Sequence, residues 1–267
     1  MRHPSITSMD WKNLHPNRRD LFVQRRTKQL RKAHMTPVEK PVSRKTLSKQ
    51  VYQYLKQAII LQEKPEFRMG AQLNEVELAR VIGCSTTPIR EALNMLRRDG
   101  LVVGASFHAS CVASYRFEDV ENMVYVRKTL EIAGLRQAFP HITDKDIAFL
   151  RRNTETYERV YAALDFTRIA ESNQEFHSRI MQRSGNALLQ TMLQSITEQA
   201  AMIRAPMVMH QKKSPPAGKA SAVGEHAGIV DAIEAGDLEL AVERLGAHID
   251  RMQRDLCAFY TQHPQEL

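Results

Sequence analysis

Between Leu73 and Gly100 the chain reads LNEVELARVIGCSTTPIREALNMLRRDG, and this segment constrains the fold more tightly than any other. Leu73, Val76, Leu78, Ala79 and Ile82 fall at helical spacing, and Gly83 ends the run with a residue that tolerates a left-handed C-cap. Ser85 or Thr86 can N-cap a second helix, with Pro88 in its first turn, where a missing N–H costs nothing. Ile89, Leu93 and Leu96 give that helix one apolar stripe, while Thr87, Arg90 and Asn94 lie off it. Two short amphipathic helices around a glycine turn make either an αα-hairpin with a solvated polar face or a helix-turn-helix. In the second case the later helix enters the DNA major groove.

The rest of the chain divides around this segment. Residues 1–42 are polar, basic and punctuated by Pro4, Pro16, Pro37 and Pro41, with too little apolar content to fold alone. A helix is expected from about Thr46, apolar at Val51, Leu55 and Ile59, and residues 101–103 and 111–113 read as two short strands. From Arg116 onward the pattern is helical, over 117–139, 144–164, 165–183, 187–208, 224–235 and 238–260. Gly134 lowers the propensity of the first of these without breaking it, and Pro215-Pro216 make 211–218 a loop. The expected fold is therefore mainly α: a small N-terminal domain over 43–114 and an all-helical bundle over 116–262.

Charge is distributed unevenly. The first 50 residues hold 13 Lys/Arg against 3 Asp/Glu, net +10, whereas residues 114–267 hold 18 against 21, net −3. Such a tail beside a DNA-binding domain would neutralise phosphates and add salt-dependent affinity; otherwise it is a solvated leader. The three cysteines, Cys84, Cys111 and Cys257, are odd in number and widely spaced, which points to a reducing cytoplasm and away from disulfides or a zinc ribbon. No apolar run approaches the roughly 18 residues of a membrane span, and the N-terminus has no apolar core of a secretion signal.

The stretch ELARVIGCSTTPIREALNMLRRDGLV resembles the winged-helix DNA-binding domain of the GntR family of bacterial transcription regulators. Those proteins carry ELA, a glycine turn, S-x-T-P-[VI]-R-E-A-L and a Gly-Leu-Val entering the wing; the likeness runs from about Thr46 to Ala113. By that resemblance Ser85, Thr87 and Arg90 touch DNA, with Thr86 and Asn94 on the same face, and an arginine there suits guanine O6 and N7 or a phosphate. The chain departs from the family at Thr86, where an arginine is frequent, and at the wing tip, Ser106 to Ser110. There His108 replaces the usual basic and glycine residues as the side chain that can reach a minor groove.

The helical half carries a second constellation. Asn173 and His177 are four apart and share a helix face, His226 begins a later helix, and His248 lies in the last one. These are either three unrelated histidines or a site of three imidazoles and one oxygen, which suits a divalent metal such as zinc, nickel or copper. N-x-E-F-H with S-G-N, then E-H-x-x-I-x-x-A-I-x-x-G-D and a final histidine, resembles the C-terminal ligand domain of the FadR subfamily, the all-helical FCD type. The resemblance, over about Asp119 to Tyr260, implies that Asn173, His177, His226 and His248 hold a divalent metal, zinc or nickel first. Asn173 stands where the family has [D/N]; against aspartate it removes one negative charge and weakens the site. Arg127, in a segment resembling the family's R-x-x-L-E, would hold an effector carboxylate, unless it only pairs with Glu131 at i,i+4. Arg204 is a second candidate.

Together these readings imply a cytoplasmic regulator at the bacterial nucleoid: a homodimeric repressor of double-stranded operator DNA that answers a small organic acid. A metal-dependent enzyme built on the three histidines is the rival from another class, but it needs a general base near the metal, and only Glu175 and Glu225 lie close in sequence. A nonspecific DNA binder with a vestigial sensor domain is the third reading.

Overall fold

The computed structural model describes residues 44–104, 109–163, 165–213 and 224–266. Helix α1 spans Arg44–Leu61, and its face of Val51, Leu55 and Ile59 is fully buried. Helices α2 (Glu75–Ile82) and α3 (Thr86–Arg98) form the helix-turn-helix. Asn74 caps α2, its Oδ1 accepting from the amides of Val76 and Glu77 at 2.9 and 3.1 Å, and Gly83 closes it in the left-handed region at φ 79°. Along α3, Ile89, Leu93 and Leu96 are buried, and α3 packs on α1.

Two expectations here are corrected. Leu73 belongs not to α2 but to a two-residue strand, β1 (Gln72–Leu73), and Val76 points outward, 70% exposed. The apolar stripe of α2 is Leu78, Ala79 and Ile82. A strand of two residues displays no period of its own, so its apolar residue reads as the first turn of the helix that follows. Strands β2 (Val102–Val103) and β3 (Ser110–Val112) complete an antiparallel sheet of order β1-β3-β2, with Leu73 opposite Ser110 and Val102 opposite Val112. The wing thus has three strands where two were expected. At Gly104 φ is 112°, and a Cβ would lie 2.6 Å from the Ala109 carbonyl oxygen, so only glycine fits this turn. His108 at the wing tip and the tail of residues 1–42 lie outside the described residues.

The described residues of the second half form helices joined by short turns: α4 (Phe117–Ala138), α5 (Asp144–Ala162), α6 (Phe166–Gln182), α7 (Ala187–Lys213), α8 (Glu225–Glu234) and α9 (Leu238–Gln262), with short 3-10 turns after α4 and α9. Helix α4 runs through the middle and packs on α6, α7 and α9; α5 packs on α6 and α8, and α8 on α9. Val124, Leu135, Phe176, Ile180, Leu245 and Ile249 meet in one core. Gly134 is more than a tolerated breaker: a Cβ there would lie 2.3 Å from Met181 Sδ, so the glycine lets α6 approach α4 closely. Among the described residues no helix is long and apolar enough to cross a membrane.

Helix α7 departs from expectation and joins the two halves. It runs past 208 to Lys213 with Pro206 inside it, so residues 211–213 of the expected loop are helical. Proline has no N–H to give the carbonyl four residues back, that of Met202. Gln62, at the end of α1, fills the gap: its Nε2 donates to Met202 O at 2.6 Å, while its Oε1 accepts from the Met69 amide at 3.2 Å. This two-ended grip holds Gln62 at φ 51°, a region that non-glycine residues rarely adopt. The Met202 side chain is fully buried in the core of the N-terminal domain. Gln62→Leu is expected to destabilise the protein by about 1–3 kcal/mol, because two buried backbone groups lose their partners. In a Pro206→Ala background an alanine N–H can satisfy Met202 O, so the same substitution should cost less. Urea unfolding of the four proteins of this cycle measures the coupling, and simple additivity would contradict it.

Candidate functional site

The exposed face of α3 carries most of the residues expected to meet DNA. Ser85 occupies the N-cap position without a side-chain capping bond, and it is exposed together with Arg90 and Asn94; Thr86 and Thr87 are half-buried beside them. Arg90 is not free: its Nη2 and Nε donate to Glu75 Oε2 at 2.9 and 3.2 Å, Glu75 being the first residue of α2. Asn94 Oδ1 accepts from Arg97 Nη1, and Arg97 Nη2 donates to Ser110 Oγ of β3 at 2.9 Å, tying the recognition helix to the wing. An exposed ion pair is worth about 0–1 kcal/mol, so Arg90 can exchange Glu75 for a phosphate or a base edge at small cost.

The three histidines converge. His177 on α6, His226 on α8 and His248 on α9 are 3, 2 and 5% exposed, and one nitrogen from each lies within 4.8 Å of the others. The ring of His226 stacks on Phe176, centroids 4.1 Å apart and planes 9° from parallel, and lies 4.7 Å from the ring of His248. Asn173, one turn before His177, is equally buried. Among the described residues four buried atoms here have no hydrogen-bond partner: His177 Nε2 and both ring nitrogens of His226, and Asn173 Oδ1 one turn before His177. Buried nitrogen and oxygen atoms left unpaired each cost about 1–3 kcal/mol, so a cluster of them marks a candidate site for a ligand or bound water.

Carboxylates behind two of the rings orient them. His177 Nδ1 is 2.6 Å from Glu131 Oε2, and His248 Nδ1 is 2.8 Å from Glu225 Oε2. A carboxylate only accepts, so each Nδ1 donates the proton, and a neutral ring held this way presents the Nε2 lone pair that a metal ligand requires. Burial alone would raise the Glu131 carboxyl, but the Arg127 charge and the hydrogen bonds from His177 and Arg127 hold it well below the ordinary range. Burial likewise opposes ionisation of Glu225, and hydrogen bonds from His248 and Arg251 outweigh it. Burial also pushes His226 well below its usual value and His248 down to about 4, the latter against the pull of Glu225. Both of those rings are therefore neutral at physiological pH. Sequence reasoning named the three histidines that converge but not Glu225, which is next to His226 in the chain yet bonds to His248. It saw Glu131 only as a partner for Arg127.

Arg127 makes the i,i+4 pair with Glu131. Its Nε donates to Glu131 Oε1 at 2.6 Å, while its Nη2 is buried with no partner among the described residues. It lines a cavity of about 280 Å³ together with Asn173 and Arg204. Burial lowers the Arg204 guanidinium, and among the described residues no carboxylate lies within ion-pair distance of it. The carboxylates nearest the histidines are all committed: Glu131 to Arg127 and His177, Glu225 to His248 and Arg251. Glu175 is exposed, 3.4 Å from Asn153 Nδ2.

A winged helix joined to an all-helical bundle is the architecture of a DNA-binding regulator. The family described as bacterial regulatory proteins, gntR family, matches residues 47–106, and the FCD domain matches residues 122–251. A relative in Bacillus subtilis (strain 168), named as the uncharacterized HTH-type transcriptional regulator YdhC, is 27% identical over 150 residues, 56% of this chain and 66% of that protein. A relative in Paenarthrobacter nicotinovorans, named as a probable D-xylose utilization operon transcriptional repressor, is 29% identical over 80% of this chain and 91% of its own length. The solved structure of E. coli McbR/YncC superposes with a TM-score of 0.66 at 26% identity, covering 81% of this chain and 98% of that one. The chain belongs to the GntR-type transcriptional regulators with an FCD domain; it binds DNA, and its relatives are regulators rather than enzymes.

Proposed function

We propose that this protein is a cytoplasmic repressor that binds operator DNA as a homodimer and responds to a small organic acid held beside a divalent ion in the FCD domain. The observation that carries the reading is the set of buried, unpaired nitrogens of His177 and His226 and the Asn173 oxygen. Asn173, His177, His226 and His248 would hold the ion, zinc or nickel by their donor chemistry, which would supply a Lewis-acidic centre for a carboxylate. Arg127 would hold that carboxylate through its free Nη2, with Arg204 as a second cation. Ser85, Thr86, Thr87, Arg90 and Asn94 would meet the major groove and His108 the minor groove.

Ligand changes DNA affinity only by favouring one arrangement of the two DNA-binding domains, and a coupling of about 1–3 kcal/mol would shift affinity roughly 5- to 150-fold. Genome-wide mapping of the bound sites tests the reading: discrete sites upstream of metabolic operons support it, and uniform coverage without discrete sites favours a nonspecific binder. The basic tail has its own test. Removing residues 1–42 is expected to weaken binding at low salt and flatten the dependence of log affinity on log salt. The same slope in the truncated and full chains would show that the tail makes no DNA contact.

A further inference from the structure

The cavity beside Asn173 does not belong to the FCD domain alone. Arg127, Asn173 and Arg204 of the FCD domain line it, and Gln53, Lys56 and Gln57 of α1 line it from the DNA-binding domain. Two cationic groups are available in it: the unpartnered Nη2 of Arg127 and the guanidinium of Arg204. The third cation, Lys56, is held by Glu198 of α7. From Lys56 the contacts run on toward the DNA-reading helix. Its Nζ donates to Tyr52 OH at 2.9 Å, and that hydroxyl donates to Asp99 Oδ2 at 2.6 Å. Asp99 is the C-cap of α3, and its carbonyl accepts from Ser195 Oγ and Gln199 Nε2 of α7 at 3.0 and 3.1 Å. A continuous chain of hydrogen bonds thus joins the cavity to the end of the recognition helix.

We infer that the effector is a dicarboxylate lodged between the two domains, one end on Arg127 beside the histidine chamber and the other between Arg204 and Lys56. Helix α1 of the DNA-binding domain then supplies part of the effector site, and the ligand replaces Glu198 as the counterion of Lys56. The inference rests on the effector reading above and deepens it, naming the ligand class and a residue outside the FCD domain that selects it. Two cationic subsites lining one cavity discriminate against a monocarboxylate, which leaves one of them unpaired. Drawing Lys56 away from Glu198 also loosens its hold on Tyr52, and through it on Asp99. Ligand occupancy therefore reaches α3 without any movement having to cross the bundle.

Calorimetric titration of zinc-treated full-length protein with glutarate and with butyrate tests this. Glutarate is expected to bind, butyrate about tenfold or more weakly, and Lys56→Met to weaken glutarate about tenfold. Lys56→Met leaves Glu198 buried without its partner, so Lys56→Met/Glu198→Met, which removes both charges, guards against simple unfolding and should show the same loss. Amide hydrogen exchange at residues 97–101 should quicken on glutarate saturation of the wild type. Unchanged glutarate affinity in both Lys56 variants, with loss in Arg204→Met, would confine the site to the FCD domain and overturn the inference while leaving the effector reading intact. Absence of glutarate binding up to about 10 mM in protein that retains zinc would overturn the dicarboxylate assignment. Metal content of the same samples reports on the metal site separately.

Discussion

His226→Ala is expected to abolish retention of divalent metal while leaving the protein folded. In wild-type protein incubated with zinc and desalted, about one ion per chain should remain, and in the variant none. His226 contributes both of its nitrogens to the unpaired set, at the point where α8 meets α6 and α9. The cost to the metal-free fold should be small, because truncation removes two buried atoms that lack partners and this offsets the lost stacking on Phe176. Metal binding to the folded state alone stabilises it by about 4 kcal/mol at a thousandfold excess over the dissociation constant. Zinc should therefore raise the melting temperature of the wild type and not of His226→Ala. Glu225→Gln leaves every inward-facing atom in place but removes the charge behind His248, and should weaken metal affinity about 10- to 100-fold. Equal metal content in wild type and His226→Ala would show that the histidines are not a metal site.

Arg90→Ala is expected to weaken operator binding by about 1–3 kcal/mol if the guanidinium contacts bases, with relaxed preference at one position of the site. The Glu75 pair sharpens this expectation. Glu75 holds Arg90 in the free protein and repels phosphate, so Glu75→Gln should tighten binding modestly while Arg90→Ala loosens it. Fluorescence anisotropy with a labelled operator, at two salt concentrations, separates the two roles. A phosphate contact flattens the salt dependence when removed, and a base contact changes sequence preference instead. Unchanged affinity in a folded Arg90→Ala protein would remove Arg90 from the DNA interface.

The parts of this molecule legible in its sequence are those set by neighbours within a few residues. Gly83 marks the end of α2 because the left-handed cap is a local requirement, and the stripe of Ile89, Leu93 and Leu96 appears because helical period repeats within one element. Asn173 and His177 could be paired by their spacing of one turn. What stayed hidden depends on chain segments far apart. Strand β1 exists only because Gln72 and Leu73 meet Cys111 and Ser110. Helix α7 outlasts Pro206 with Gln62 bonded to the carbonyl the proline leaves free, that of Met202, 140 residues further along the chain. Glu131 and Glu225 meet His177 and His248 across 46 and 23 residues, and no local spacing encodes such contacts.

The coupling of the histidine chamber to DNA reading is tested most directly by the operator affinity of zinc-loaded full-length protein, titrated with mono-, di- and tricarboxylates beside His226→Ala. The structure predicts that at least one carboxylate changes wild-type affinity roughly 5- to 150-fold and that the same compound leaves His226→Ala unmoved. A wild-type affinity that no carboxylate alters, or a shift that persists in His226→Ala, would contradict it.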